Sequence, residues 1–252
     1  MRVQLPRGSL VTYASIVQRL IPEVEFHQNR YARELGEVVT PDCRWLDLGA
    51  GTRFHWGWLG PSLEELGKRA SFVVGCDVVA PHLASNAQLN AAIVADIGAL
   101  PLAAASFELV SANMVLEHLD NPARVFAEVA RVLVPGGLFV FVTPNRRHPA
   151  IWLAASLLSP ERRRALARWV EGRDSEDIFL THYRANAIGD LRRWTRQAGL
   201  TITRLEAFPS YPITRRPLIA VTLESLFIRA QSRGFLRGLS SNLIGVFEKP
   251  AR

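Results

Sequence analysis

The stretch from Arg44 to Phe54, RWLDLGAGTRF, decides the fold. An apolar run enters Asp47, and Gly49 and Gly51 follow two apart before a segment of helical period. Glycines at a strand-to-helix turn let the backbone take φ > 0, and they let a ligand approach where a Cβ would collide. In an open α/β sheet, ligands lie outside the carboxyl ends of the strands, where this turn falls. Residues 44–59 therefore read as a strand-turn-helix unit that meets a ligand. Taken alone, the unit supports a nucleotide-type ligand.

Outward from that turn, short apolar runs alternate with helical segments, the pattern of βα units around a mostly parallel sheet. Strands are expected at 44–48, 71–76, 91–95, 107–112 and 137–142, the last reading GLFVFV and suited to a central strand covered on both faces. Residues 121–133 place Pro122 at a helix start and Val125, Phe126, Val129, Val132 and Leu133 on one stripe. Pro135-Gly136-Gly137 then stops the helix and opens the strand. Residues 13–39 read as one or two amphipathic helices broken near Pro22. Residues 186–198 read as a helix closed by Gly199 at C′, followed by strands at 200–207 and 242–247. Between these, residues 208–240 fit core, lid or membrane-facing helix equally.

The bulk numbers set limits. The chain has 252 residues, 48% apolar and 21% charged, an ordinary globular balance. Its first residues lack the pattern of a signal peptide, and no apolar run is long enough to span a bilayer, so a cytoplasmic protein is expected. Cys43 and Cys76 sit beside strands and read as structural thiols. The charge is lopsided. Residues 1–143 hold 11 Lys+Arg against 14 Asp+Glu, and residues 144–252 hold 19 against 9. Such a basic half reads either as a solvated face or as a patch for an anionic partner, with a peripheral contact to anionic membrane as one expected partner. Nucleic acid is not expected, because the aromatic residues form no recognisable binding motif.

Asp47, Asp77, Asp96 and Asn113 each end an expected strand. Four such groups in register would face one crevice and suit a ligand rich in hydroxyl and N–H donors. Asp77 is placed to accept both hydroxyls of a ribose.

LDLGAGT, GCDVV, VADIGALPLAAASFELVSANMVLEHLDNP and EVARVLVPGGLFVFVTPN together resemble class I S-adenosylmethionine-dependent methyltransferases, especially the small-molecule group that includes quinone-biosynthesis enzymes. The resemblance covers about residues 40–145. It implies that Gly49 and Gly51 flank the methionine end of the cofactor and that Asp77, with Val78 beside it, binds the ribose. It further implies that Asp96 and the Ile97 backbone meet the adenine amino group, and that Asn113 contacts the methionine part through its backbone. The implied fold is α/β: a Rossmann-like seven-stranded sheet, mostly parallel with an antiparallel last strand, helices on both faces. One methyltransferase domain is expected over 1–252, with a helical cap at 1–40, the cofactor half at 41–145, an acceptor-facing insertion at 146–185, and a C-terminal helix and strands at 186–252.

The sequence departs from its relatives at three places. Arg53 stands where the family often has a third glycine, so the turn is wider or Arg53 pairs the cofactor carboxylate, a charge-assisted contact. Metal-dependent relatives carry Glu-x-x-Glu-His where this chain has Met114-Val115-Leu116-Glu117-His118, so no metal is expected. Thr143-Pro144-Asn145 replaces the signature of base N-methylating enzymes. A nicotinamide dehydrogenase would need a glycine at Phe54.

Methyl transfer from a sulfonium is an in-line displacement, so the protein must hold the acceptor and manage one proton. His118 is the first base candidate, since imidazole titrates near neutrality; a locally satisfied helix-start His is the alternative. Glu117 orients it or packs. Thr181-His182-Tyr183-Arg184 forms the second group: His182 a base, Tyr183 a donor, Arg184 a holder of anionic acceptors, or else a bland loop. His27 and Tyr31, four apart on one helical face, read as core packing or as a cover over the cofactor. The leading expectation is O-methylation of a small or carrier-linked acceptor such as a sugar, glycolipid or polyketide-like hydroxyl. A C- or N-methyltransferase and a non-catalytic module binding anionic membrane or nucleic acid are the alternatives.

Overall fold

The computed structural model describes residues 10–51, 63–159, 162, 179–214, 217–234 and 236–251. In chain order it contains α1 (Leu10–Leu20), α2 (His27–Val38), β1 (Arg44–Leu48), α3 (Leu63–Arg69), β2 (Phe72–Asp77), α4 (Ala80–Ala84), β3 (Ala91–Val94) and β4 (Phe107–Asn113). A 3-10 turn over Leu116–His118 follows, then α5 (Pro122–Val132), β5 (Leu133–Pro144) and α6 (Pro149–Leu157). The chain ends with α7 (Ile188–Gln197), β6 (Thr201–Phe208), α8 (Leu218–Ser232), a 3-10 turn over Arg237–Leu239, and β7 (Asn242–Glu248).

The seven strands form one sheet in the order β3-β2-β1-β4-β5-β7-β6. Neighbouring strands from β3 through β5 run parallel, and β7 is antiparallel to both β5 and β6, as the family resemblance implies for the last strand. Consecutive residues of β1, β2 and β4 are buried, so both faces of the central sheet are covered. On one of them Phe126 of α5 packs edge-on against Phe139 at 5.8 Å, and Phe141 meets Phe247 of β7 at 5.0 Å. The Asn121 side chain caps α5 by accepting from the Arg124 N–H, Pro122 occupies its first turn, and Val125, Phe126, Val129 and Val132 point inward as their spacing predicts.

One boundary differs from the sequence reading. Pro135-Gly136-Gly137 does not precede β5 but lies within it. The register to β4 jumps from Phe107↔Leu133 to Leu109↔Leu138, so residues 134–137 bulge, and the far side of the strand stays paired: Gly136 N–H donates to the Lys249 carbonyl and Lys249 N–H to that of Gly137. Bonds to Lys249, just after β7, override the local turn preference.

The residues cluster into two compact units. One contains Met1–His27, Asn145–Leu180 and Ala207–Asn242; the other contains Gln28–Pro144, Thr181–Glu206 and Leu243–Arg252. In the first, α8 packs on α1 and the segment after it through Val17, Ile21, Val24 and Ile228, the Tyr13 hydroxyl donates to the Pro212 carbonyl, and the Asn145 amide donates to the carbonyls of Gly238 and Ser240. The second holds the central strands and every described residue of the site below.

Candidate functional site

Asp47, Asp77, Asp96 and Asn113 lie at the carboxyl ends of the adjacent strands β1, β2, β3 and β4, as expected. The turn after β1 is built from fixed bonds. Gly49 N–H donates to the Cys76 carbonyl at 2.7 Å, Gly51 N–H to Asp77 Oδ2 at 3.0 Å, and the buried Asn86 amide to the carbonyls of Ala50 and Gly51. Gly49 and Gly51 have φ of +67° and +54°. A Cβ on Gly49 would stand 2.5 Å from Val115 Cγ2, whereas the space beside Gly51 is open. A left-handed turn with an open flank is a place where a ligand can meet backbone.

Asp77 accepts Gly51 N–H on one oxygen and Val79 N–H on the other at 2.9 Å, which fixes the carboxylate and leaves each oxygen a further lone pair. Asp96 Oδ1 accepts Gly98 N–H at 2.8 Å, and Val78 and Val94 expose apolar side chains near these acids. Asp47 is buried. Its Oδ1 accepts the Ser111 hydroxyl at 2.5 Å, and Ser111 in turn accepts Trp45 Nε1 at 2.7 Å. Burial pushes the Asp47 carboxyl up to about 7, the Ser111 bond opposes this, and the charge of Asp77 adds to it. Tyr31, buried on α2, has its phenol raised well above the usual range by burial and then by Asp47. The Asn113 amide donates to Gln28 Oε1 at 2.6 Å, while its Oδ1 is buried without a donor.

After β4, main-chain bonds bring the segment that bears His182 and Tyr183 to the turn that bears His118. The Glu117 carbonyl accepts the backbone N–H of His182 at 2.7 Å and of Tyr183 at 3.1 Å, and His118 Nε2 lies 3.9 Å from Glu117 Oε1. Glu117 is itself buried, and its Oε2 accepts the Thr143 hydroxyl at 3.0 Å. The buried Asn186 amide donates to Thr143 Oγ1 at 2.7 Å and to the Pro144 carbonyl at 3.0 Å, and its Oδ1 has no donor. Tyr183 sits at φ +53°, and Arg184 pairs with Asp120. Arg53 lies outside the described residues. His27 is tied to Ser210 through its backbone N–H and Nδ1.

A family model described as a methyltransferase domain matches residues 46–141. The demethylmenaquinone methyltransferase of Mycobacterium sp. (strain KMS) is 31% identical over 67% of this chain and 68% of its own. The chain belongs to the class I S-adenosylmethionine-dependent methyltransferases. The ubiquinone biosynthesis O-methyltransferase of Burkholderia pseudomallei (strain 1710b) is 27% identical over 77% of this methyltransferase and 80% of its own length. A malonyl-[acyl-carrier protein] O-methyltransferase of Hahella chejuensis (strain KCTC 2396) is 36% identical over 39% of the chain, a match that spans only 35% of that relative. The S-adenosylmethionine dependent methyltransferase structure from Mesorhizobium loti shares the fold, with a TM-score of 0.58 at 20% identity over 87% of this chain and 96% of that one.

The cofactor of this methyltransferase is S-adenosylmethionine, and the residues present fit it. A cationic, hydroxyl-rich molecule needs acceptors, and the carboxyl ends of β1 to β4 offer the carboxyl groups of Asp47, Asp77 and Asp96 plus the undonated Asn113 Oδ1. Among the described residues no cluster of three His, Cys, Asp or Glu is gathered to hold a metal. Five supporting residues were not identified from the sequence. Ser111 carries no local signal, and Thr143 enters only as part of Thr143-Pro144-Asn145. Asn86, Gln28 and Asn186 carried no signal, because their partners are distant in the chain.

Proposed function

We propose that the enzyme methylates a hydroxyl on a small or carrier-linked acceptor, with His118 as the base. The observation that carries this reading is the convergence of His118, His182 and Tyr183 on Glu117, at the end of the strand that also bears Asn113. Bound in the crevice, S-adenosylmethionine supplies an electrophilic methyl group. Asp77 takes the ribose hydroxyls, Asp96 and the Ile97 backbone the adenine edge beside Val78, and Asn113 Oδ1 with Asp47 the cationic amino acid end. Gly49 and Gly51 admit that end to the turn, and Arg53 pairs its carboxylate. The acceptor oxygen would be held in line with the methyl group that the cofactor would supply. Its proton passes to His118 Nδ1, and the resulting imidazolium is stabilised by Glu117 beside Nε2. Tyr183 and His182 hold the acceptor. That two relatives are named as O-methyltransferases, one of a carrier-linked acyl group, supports the acceptor class.

The test is transfer of labelled methyl into a cell extract with mass analysis of the product. An O-methyl product formed roughly a hundredfold or more slowly by His118→Gln is expected. A C- or N-methylated product, or unchanged turnover in His118→Gln, would overturn the reading. Arg53→Ala should weaken S-adenosylhomocysteine binding about tenfold without changing the melting temperature.

A further inference from the structure

The unit formed by Met1–His27, Asn145–Leu180 and Ala207–Asn242 contains 15 Lys+Arg against 8 Asp+Glu, whereas the rest of the chain contains 15 against 15. The molecule's whole formal charge of +7 thus belongs to this unit. The same unit supplies eleven of the fourteen large apolar side chains that stand exposed among the described residues. Exposed apolar surface of this extent marks a docking face, and an unbalanced positive charge selects what docks.

Two helices carry the feature. α6 has no charged residue, and its Trp152, Leu153 and Leu157 are 57%, 51% and 70% exposed. Exposed arginines bracket it: Arg146 and Arg147 before, Arg162 after. α8 buries Val221, Ser225 and Ile228 on one side and exposes Ile219, Leu223 and Leu226 on the other, at 71%, 62% and 48%. Their spacing of four and three makes one stripe, and Arg233, a further seven residues on, continues it as an exposed cation. The one acidic side chain of α8, Glu224, is held by the backbone N–H groups of Ile213 and Thr214 at 2.8 and 2.9 Å. No described helix is long and apolar enough to cross a membrane.

We propose that this unit docks on the surface of a bilayer rich in anionic phospholipid, with α6 and α8 laid in the interface. Trp and Leu side chains enter the headgroup and acyl boundary, and the flanking arginines extend to lipid phosphates. A second copy of the chain is disfavoured as occupant, since it would bring a +7 surface against another of the same sign. The inference stands independently of the methyl acceptor.

Flotation of the full chain with vesicles tests it. Phosphatidylcholine vesicles containing about 30% phosphatidylglycerol should carry the protein up, pure phosphatidylcholine vesicles should not, and about 0.5 M NaCl should release it. Leu223→Glu and Trp152→Glu, both at exposed sites, should each reduce binding roughly tenfold, and the Arg146→Ala/Arg147→Ala pair about fivefold per arginine, with unchanged circular dichroism melts. Indifference to phosphatidylglycerol at low salt would overturn the proposal, as would equal binding by all variants. Sedimentation as a dimer that Leu223→Glu dissociates, without vesicle binding, would assign the face to a second copy instead.

Discussion

Asp47 is the residue whose chemistry is most altered by its place in the fold. Its carboxyl is raised to about 7 from an ordinary value near 4, so the folded chain holds a proton that the unfolded chain gives up earlier. Stability from this group is therefore full below the unfolded value and is lost as pH rises through about 7. A cationic ligand reverses the preference, because it pairs with the ionised form. S-adenosylhomocysteine affinity should then fall as pH drops below 7, by up to tenfold per unit, and Asp47→Asn should flatten the profile; titration calorimetry between pH 5 and 8 checks both. A flat wild-type profile would remove Asp47 from the cofactor's cationic end. Gly51→Val tests the turn itself. The space is open but φ is +54°, so a β-branched residue there is strained by about 1–3 kcal/mol and covers the approach. Cofactor affinity should drop at least tenfold while the far-ultraviolet spectrum persists, and unchanged affinity would sink the assignment.

At the scale of elements, α6 begins on a buried histidine. His148 packs at 6.0 Å from Phe227, its Nδ1 has no partner, and burial lowers its imidazole to about 4. Here the folded value is depressed below the ordinary 6.5, so stability is full above pH 6.5 and declines as pH falls toward 4. The loss at pH 5 comes to about 2 kcal/mol, and His148→Phe should abolish it; denaturant melts at pH 7 and 5 provide the comparison. Why some elements are legible in sequence and others not is visible at this scale. All seven strands could be read, because apolar runs between turn residues report burial on a sheet, and α5 could be read from its cap and stripe. The start of β5 could not, since its pairing with β7 depends on Lys249, far along the chain. The acids at strand ends were legible for the same reason as the strands. Gln28 against Asn113 and Asn186 against Thr143 were not, because such pairs are made by folding and leave no local period. Asn186→Ala should cost about 2 kcal/mol by removing the donor to Thr143 Oγ1 and the Pro144 carbonyl, and should lower turnover more than cofactor affinity.

At the scale of the whole molecule, the question is whether the two compact units fold as one domain over 1–252. The described site residues all come from the unit that holds the central strands, so a ligand there acts on that unit directly. Of the five crossings between the units, the one between Glu206 and Ala207 lies inside β6, those at His27–Gln28 and Asn242–Leu243 fall at the first residues of α2 and β7, and those after Pro144 and Leu180 lie outside any element. A strand shared as β6 is does not melt halfway without losing its ladder. We therefore expect one cooperative transition, with calorimetric and van't Hoff enthalpies in agreement. S-adenosylhomocysteine at a hundred times its dissociation constant should stabilise the whole chain by about 2.7 kcal/mol and raise its midpoint by roughly 5–10 °C. Hydrogen exchange should then slow in α1 and α8 as well as in β1, β2 and β4. Two transitions, of which only one moves with ligand, would show instead that the basic unit folds on its own.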